Sequence, residues 1–207
     1  MTRHCTFDPP VEPLALSPVD CARKARMMIL CDPEGGALPC LMIPADFADA
    51  GAINRMATHA RGLVCLALDS QIVDRLQLAL QPQSNRRRFA TPFTLSIEAT
   101  HAVSTGISAP DRARTVAAAI RPGAVPGDLA TPGHVFPIRV ERDGPRAGGC
   151  IPGAAVEICD RAGLRPAAVI CEILDPMGAA PGREWLQSLA AALDLPVFAC
   201  DDLQGRA

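Results

Sequence analysis

The sequence predicts an α/β (α+β) fold: a single compact domain with a mixed sheet and surrounding helices. Short apolar runs such as Met27-Met28-Ile29-Leu30, Gly62 to Leu68 and Ala167 to Leu174 have the length and composition of buried strands. Between them lie segments with apolar residues at helical intervals: Ile53, Met56 and Ala57 in one, Ile72, Val73, Leu76 and Leu80 in another. The two signals alternate along the chain with no internal repeat and no linker, as one sheet system with packed helices requires.

Taken in order, residues 1–18, with Pro9, Pro10, Pro13 and Pro18, read as a flexible Pro-rich arm, and residues 19–207 as the domain. Val19 to Arg26 predicts a helix, with Ser17 and Asp20 as caps and Lys24 and Arg26 in its last turn. The Met27 run predicts a strand, Pro33 and Gly35-Gly36 a loop, and Leu41-Met42-Ile43-Pro44 a returning strand. Asp49 to Ala60 is a helix, Gly62 to Leu68 a strand, Ser70 to Leu80 a helix and Pro82 to Arg88 a polar loop. Phe93 to Glu98 alternates as a half-exposed strand. Ala109 to Ile120 is a helix with Pro110 in its first turn and Asp111 favourable at its N-terminus. Val135 to Val140 is a strand, and Pro152 to Ala162 a helix closed by Gly163. After the Ala167 strand come a helix at Arg183 to Leu193 and a last strand at Val197 to Cys200.

Charge is nearly balanced, 20 basic against 22 acidic residues, so no global field recruits nucleic acid or a membrane surface. Tyr is absent and Trp185 stands alone, which leaves no stacking platform for bases. Nine cysteines, an odd count, occur with no signal-peptide pattern and no apolar run long enough to span a bilayer, so a reduced, cytoplasmic protein is expected. No C-x-x-C pair occurs, which gives no support to a zinc ribbon or a thioredoxin-type motif. Cys65, Cys159, Cys171 and Cys200 read as small buried hydrophobes.

The chemistry-bearing stretch is Ser104-Thr105-Gly106-Ile107-Ser108-Ala109-Pro110-Asp111-Arg112. It sets hydroxyls and a guanidinium beside a helix N-terminus, which suits a phosphorylated or otherwise anionic ligand. On a plain helix surface the same Asp111 and Arg112 would merely cap and pair. Pro132-Gly133-His134-Val135-Phe136-Pro137 follows. With Met28-Ile29-Leu30, His59 to Cys65, Thr91 to Ala99 and Arg165-Pro166-Ala167 to Cys171-Glu172, these landmarks stand in an order that resembles the 3,4-dihydroxy-2-butanone 4-phosphate synthase family. That family rearranges ribulose 5-phosphate in the riboflavin pathway. The resemblance runs from the Met27 strand to Asp201-Asp202-Leu203 and implies a homodimer with active sites between subunits and no cyclohydrolase domain following. It implies substrate binding by Thr91, Thr105, Gly106, Ser108, Asp111, Arg112 and Arg146. It also implies His134, Cys65 and Glu172 as catalytic groups, His134 in proton transfer or polar binding. His59 is also read as a plain helix-end residue.

The chain departs from the family at its metal site. The family's acidic loop, D-E-D-R-E-N-E-G-D, supplies a catalytic arginine and a metal-binding glutamate. Aligned without gaps it falls on residues 32–40, where Gly35 replaces the arginine, Gly36 the metal glutamate, Leu38 a second glutamate and Cys40 the closing aspartate. The family's R-G-G-H-T-E falls near Arg146 to Pro152, so Cys150 or Ile151 takes the place of the metal histidine. Magnesium needs hard oxygen ligands, and thiols suit softer metals, so neither magnesium nor another cofactor is expected. Cys40 and Cys150 with Glu172 form at most a thin zinc set; as small residues they also simply fill vacated space. Arg86-Arg87-Arg88 reads either as compensation toward an anionic ligand or as a solvated loop tip.

The functional expectation is a repurposed, metal-independent enzyme with lyase- or isomerase-like chemistry on a small phosphorylated or anionic metabolite, as in secondary metabolism. The alternatives are a non-catalytic regulatory partner of an active synthase, and the ordinary synthase, which converts ribulose 5-phosphate to 3,4-dihydroxy-2-butanone 4-phosphate and formate.

Overall fold

Among the described residues seven strands hydrogen-bond into one mixed sheet whose order is β4-β5-β3-β6-β2-β1-β7. They are β1 (Met28–Cys31), β2 (Cys40–Pro44), β3 (Arg61–Asp69), β4 (Ile97–Ala99), β5 (Leu129–Val140), β6 (Ala167–Ile173) and β7 (Val197–Ala199). The computed structural model describes residues 16–33, 36–82, 91–142 and 151–201. The expectations for the arm before residue 16, Arg86 to Arg88, Arg146, Cys150 and Gly35 lie outside the described residues. The β3–β5 and β1–β7 pairs are parallel and the others antiparallel.

Because successive side chains on a strand point to opposite faces, the apolar runs supply two cores. One face carries Ile29, Leu41, Ile43, Val64, Leu66, Val169 and Cys171. It packs under the helices α2 (Ala50–His59), α3 (Ser70–Arg75), α4 (Ala109–Ile120) and α6 (Arg183–Ala192). The other face carries Met28, Leu30, Cys40, Met42, Cys65, Ala67 and Ile170. It packs against α1 (Pro18–Arg23) and α5 (Ile151–Arg161). Strands buried on both sides read as unbroken apolar runs, and that is why the central ones were legible.

Local chemistry sets the helix starts. Ser17 and Asp20 form a capping box on α1, whose first residue is Pro18. Asp49 caps α2 and Ser108 caps α4 through their side-chain oxygens. Three expectations are corrected. The helix expected over Ser70 to Leu80 ends at Arg75: Gln77 takes φ 53°, and Leu80, 52% exposed, bridges Thr94 instead of packing. The strand expected over Phe93 to Glu98 reduces to single bridges at Phe93 and Thr94, followed by β4. Conversely, β5 starts at Leu129, well before the expected Val135, and runs through Pro132 and Gly133.

Candidate functional site

Four strands bring the site residues to one end of the sheet. Cys40 of β2 is the direct partner of Glu172 in β6. The β3–β6 register shifts between Arg61 and Val64, so Gly62 and Leu63 stand opposite Glu172. On the other side of β3, Cys65 pairs with Phe136, which sets His134, two residues earlier in β5, level with Leu63. His134, Leu63, Glu172 and Cys40 therefore form a row across β5, β3, β6 and β2. His134 and Glu172 are two strand spacings, roughly 10 Å, apart. The loop between β1 and β2, which the family comparison singles out, leaves the sheet at this same end.

The row is more apolar than the family pattern implies. Cys40, Cys65 and Ile151, the first residue of α5, are buried in one cluster on the α5 face, while Glu172 is exposed. Burial, reinforced by the Glu172 charge, pushes the Cys65 thiol up to about 12 and the Cys40 thiol well above its ordinary value. Among the described residues both thiols reach backbone carbonyls, Cys40 to Leu38 O at 3.5 Å and Cys65 to Leu63 O at 3.6 Å. Cys65, expected to be catalytic, is thus a protonated thiol in the wall beneath the row, because the low-dielectric cluster disfavours thiolate.

The 104–112 segment is built as a pinned loop. The Asp111 carboxylate accepts from the Ser104 hydroxyl at 2.8 Å, the Ser104 N–H at 3.2 Å and the Gly106 N–H at 3.1 Å. The Ser104 hydroxyl leads the causes that hold this carboxyl below its ordinary value, with burial opposing and Ser108 and the two N–H groups assisting. Ser108 Oγ in turn accepts from the Asp111 N–H at 3.2 Å. Thr115 anchors the base of the assembly, donating to Asp111 O at 3.0 Å and accepting from Ala99 N–H at 3.1 Å. Asp111, expected as a ligand contact, spends its oxygens on the loop. Thr105 is exposed at the tip, and the half-buried Ser108 hydroxyl is the N-cap of α4.

Glu98 joins the two halves and was missed in the sequence, where Phe93 to Glu98 reads only as an alternating strand. Its Oε2 lies 2.9 Å from His134 Nδ1. Gly106, at φ 79°, sits so close over Glu98 that a Cβ there would fall inside the carboxylate. Gly133 meets the backbone of Ile97 and Glu98 equally tightly, and its N–H donates to Ser96 Oγ at 3.1 Å. The loop, β4 and β5 therefore close on one another around Glu98 and His134.

Other expected contacts are separated. Arg112 belongs to α4, on the opposite face from Cys65 and near Cys171, whose thiol burial pushes up to about 12, opposed by the Gly62 backbone hydrogen bond and then by the Arg112 charge. The Arg112 Nε is buried without a hydrogen-bond partner among the described residues. Thr91 lies next to Pro92, whose carbonyl accepts from Arg139 N–H. That is five residues, roughly 16 Å, along β5 from His134, so strand register removes Thr91 from the row. His59 ends α2. A hollow of about 1070 Å³ lies between α2 and α4, lined by Phe47, Asp49, Arg55, Arg114 and Arg165 among others. None of the expected site residues lines it, and its arginines spend donors on Leu193 O, Ala102 O and Asp46. Volume alone does not make it the site.

Could the row hold magnesium? Among the described residues no group of three or more His, Cys, Asp or Glu side chains comes together to hold a metal ion. Gly36 stands at the position aligned with the family's metal glutamate, Leu38 and Cys40 at those of two further carboxylates, and Cys150 or the buried Ile151 at that of the metal histidine. Beside them, among the described residues, Asp32, whose Oδ2 lies against Gly36, and Glu172 offer hard oxygen, and the two do not complete the family's ligand set.

The family model for 3,4-dihydroxy-2-butanone 4-phosphate synthase matches residues 18–205. A 3,4-dihydroxy-2-butanone 4-phosphate synthase of Neisseria meningitidis is 42% identical over 163 residues, 79% of this chain and 45% of the relative. The chain thus spans about half the length of such curated relatives. Among solved structures, the two-domain 3,4-dihydroxy-2-butanone 4-phosphate synthase from A. baumannii superposes with a TM-score of 0.84 at 35% identity, covering 90% of this chain and 55% of that one. A 3,4-dihydroxy-2-butanone 4-phosphate synthase in complex with two magnesium ions superposes with a TM-score of 0.79 at 30% identity, covering 89% and 92%. With the landmarks in family order and the sheet superposing over nearly its whole length, the chain belongs to the 3,4-dihydroxy-2-butanone 4-phosphate synthase family.

Proposed function

We propose that the chain is an enzyme of this family that acts on a small phosphorylated or anionic sugar-like metabolite without the family's magnesium site. The observation that carries the reading is the donor set at the sheet end. Cys40, Cys65 and Ile151 share a buried apolar cluster beside Glu172, while the pinned 104–112 loop and the Glu98–His134 pair are intact. The orphaned Arg112 Nε supports an anionic ligand, since buried donors are rarely left unpaired. General acid–base chemistry needs positioned titratable groups rather than a metal, and His134 and Glu172 are such groups.

A second reading is the ordinary synthase reaction, favoured by 42% identity to a relative of that name. One assay separates the readings: formate release from ribulose 5-phosphate, with magnesium and with excess chelator. Our reading expects any turnover of this substrate to survive the chelator. Release that requires magnesium supports the ordinary synthase and overturns the metal-free reading. Binding with no turnover of this or related sugar phosphates would mark a non-catalytic member.

The proposal includes a homodimer in a reduced, cytoplasmic setting. Large apolar side chains stand exposed around the site, Ile107 at 54%, Leu63 at 42% and Leu95 at 40%, as a partner surface would require. The described cysteines are all buried. No helix among the described residues is long and apolar enough to cross a membrane. Light scattering on the purified chain is expected to give twice the chain mass; the single-chain mass would refute the dimer.

A further inference from the structure

From the contact between the 104–106 loop, Glu98 and His134 we infer that Glu98 is a positioning residue: it fixes His134 in one tautomer and seats the ligand loop over it. The inference rests on the proposed function for its purpose, but its physical content concerns the free protein. An ionised carboxylate only accepts hydrogen bonds. With Oε2 at 2.9 Å from Nδ1, Nδ1 must carry the proton, which leaves Nε2 as the basic nitrogen of the neutral ring. Nε2 has no hydrogen-bond partner among the described residues, and the His134 side chain is 42% exposed against 18% for Glu98. The carboxylate is the sheltered, fixed member of the pair and the imidazole the presented one.

Glu98 is itself held from several directions. Its neighbour Ala99 is tied to α4 through Thr115, and Glu98 pairs with Ala130 of β5 where the register shifts beside Ile97. Gly106 rests directly on the carboxylate while its N–H is taken by Asp111. One carboxylate therefore sets both the ring that moves a proton and the loop that would grip the anion. This arrangement fixes their relative placement before a ligand arrives, which is how positioning lowers a barrier.

The test is long-range proton–nitrogen NMR of the histidine rings in the full, ligand-free chain, with His134 assigned by loss of its signals in His134→Gln. The wild-type neutral ring is expected as the Nδ1–H form, and Glu98→Ala is expected to shift it toward the Nε2–H form. Because Glu98→Ala opens space under Gly106, Glu98→Gln serves as the shape-preserving variant, expected to keep the fold by circular dichroism while weakening the tautomer preference. A wild-type ring in the Nε2–H form, or an unchanged tautomer in both variants, overturns the inference and leaves the proposed function standing. Once a turned-over substrate is in hand, Glu98→Gln is expected to lower kcat by about tenfold or more with KM nearly unchanged. An equal effect of the substitution on KM alone would overturn the positioning role.

Discussion

Asp111 illustrates what a single residue contributes. Its position at the first turn of α4 was legible as helix-dipole chemistry, but its carboxylate is used sideways, to tie Ser104 and Gly106 into the ligand loop. The folded state holds this carboxyl below its ordinary value, chiefly through the Ser104 hydroxyl. Its contribution is therefore complete above the unfolded value of about 3.9 and is lost as pH falls through the lower folded value. Asp111→Asn is expected to lower the thermal midpoint at neutral pH, with the gap to wild type closing in acid; a gap that persists unchanged in acid would contradict the assignment. Glu98 escaped the sequence for a physical reason. A glutamate at the polar position of an alternating strand looks solvated, and only the fold brings Gly106 and His134 onto it. Thr91 erred the other way, since its chemistry suited a ligand but strand register carries it away from the row.

At the scale of elements, the buried strands and the helix Ala109–Ile120 were readable because apolar continuity and caps are local signals. β5 was read short at Pro132-Gly133, from Val135 instead of Leu129. The chain continues there as strand, since Gly133 allows the close approach to β4. α3 was read long because Leu80 keeps the helical period, yet Leu80 is recruited by Thr94. The start of α5 is the element on which the donor argument turns. Ile151, 1% exposed, packs with Cys40 and Cys65, so it acts as core rather than as a failed ligand. Ile151→Ala is expected to cost about 2–5 kcal/mol of stability, measured by urea unfolding. A cost below about 0.5 kcal/mol, the range of ordinary surface changes, would show that the apolar cluster is not structural.

For the whole molecule, the fold is that of its family across nearly all of the chain, and our proposal is that the ligand chemistry at the sheet end is reorganised. The sequence carried the fold in the order of its landmarks, and the proposal in Gly36, Leu38, Cys40 and Cys150 or Ile151. It did not carry the division of Arg112 and Cys65 to opposite faces, which follows from strand alternation and from the packing of α4. The central claim is a retained anion cradle with no magnesium requirement. Calorimetric titration of the chain with ribulose 5-phosphate, once with magnesium and once with excess chelator, tests it most directly. The account predicts the same affinity in both and its loss in Arg112→Ala; binding only with magnesium, or none in either, would contradict it.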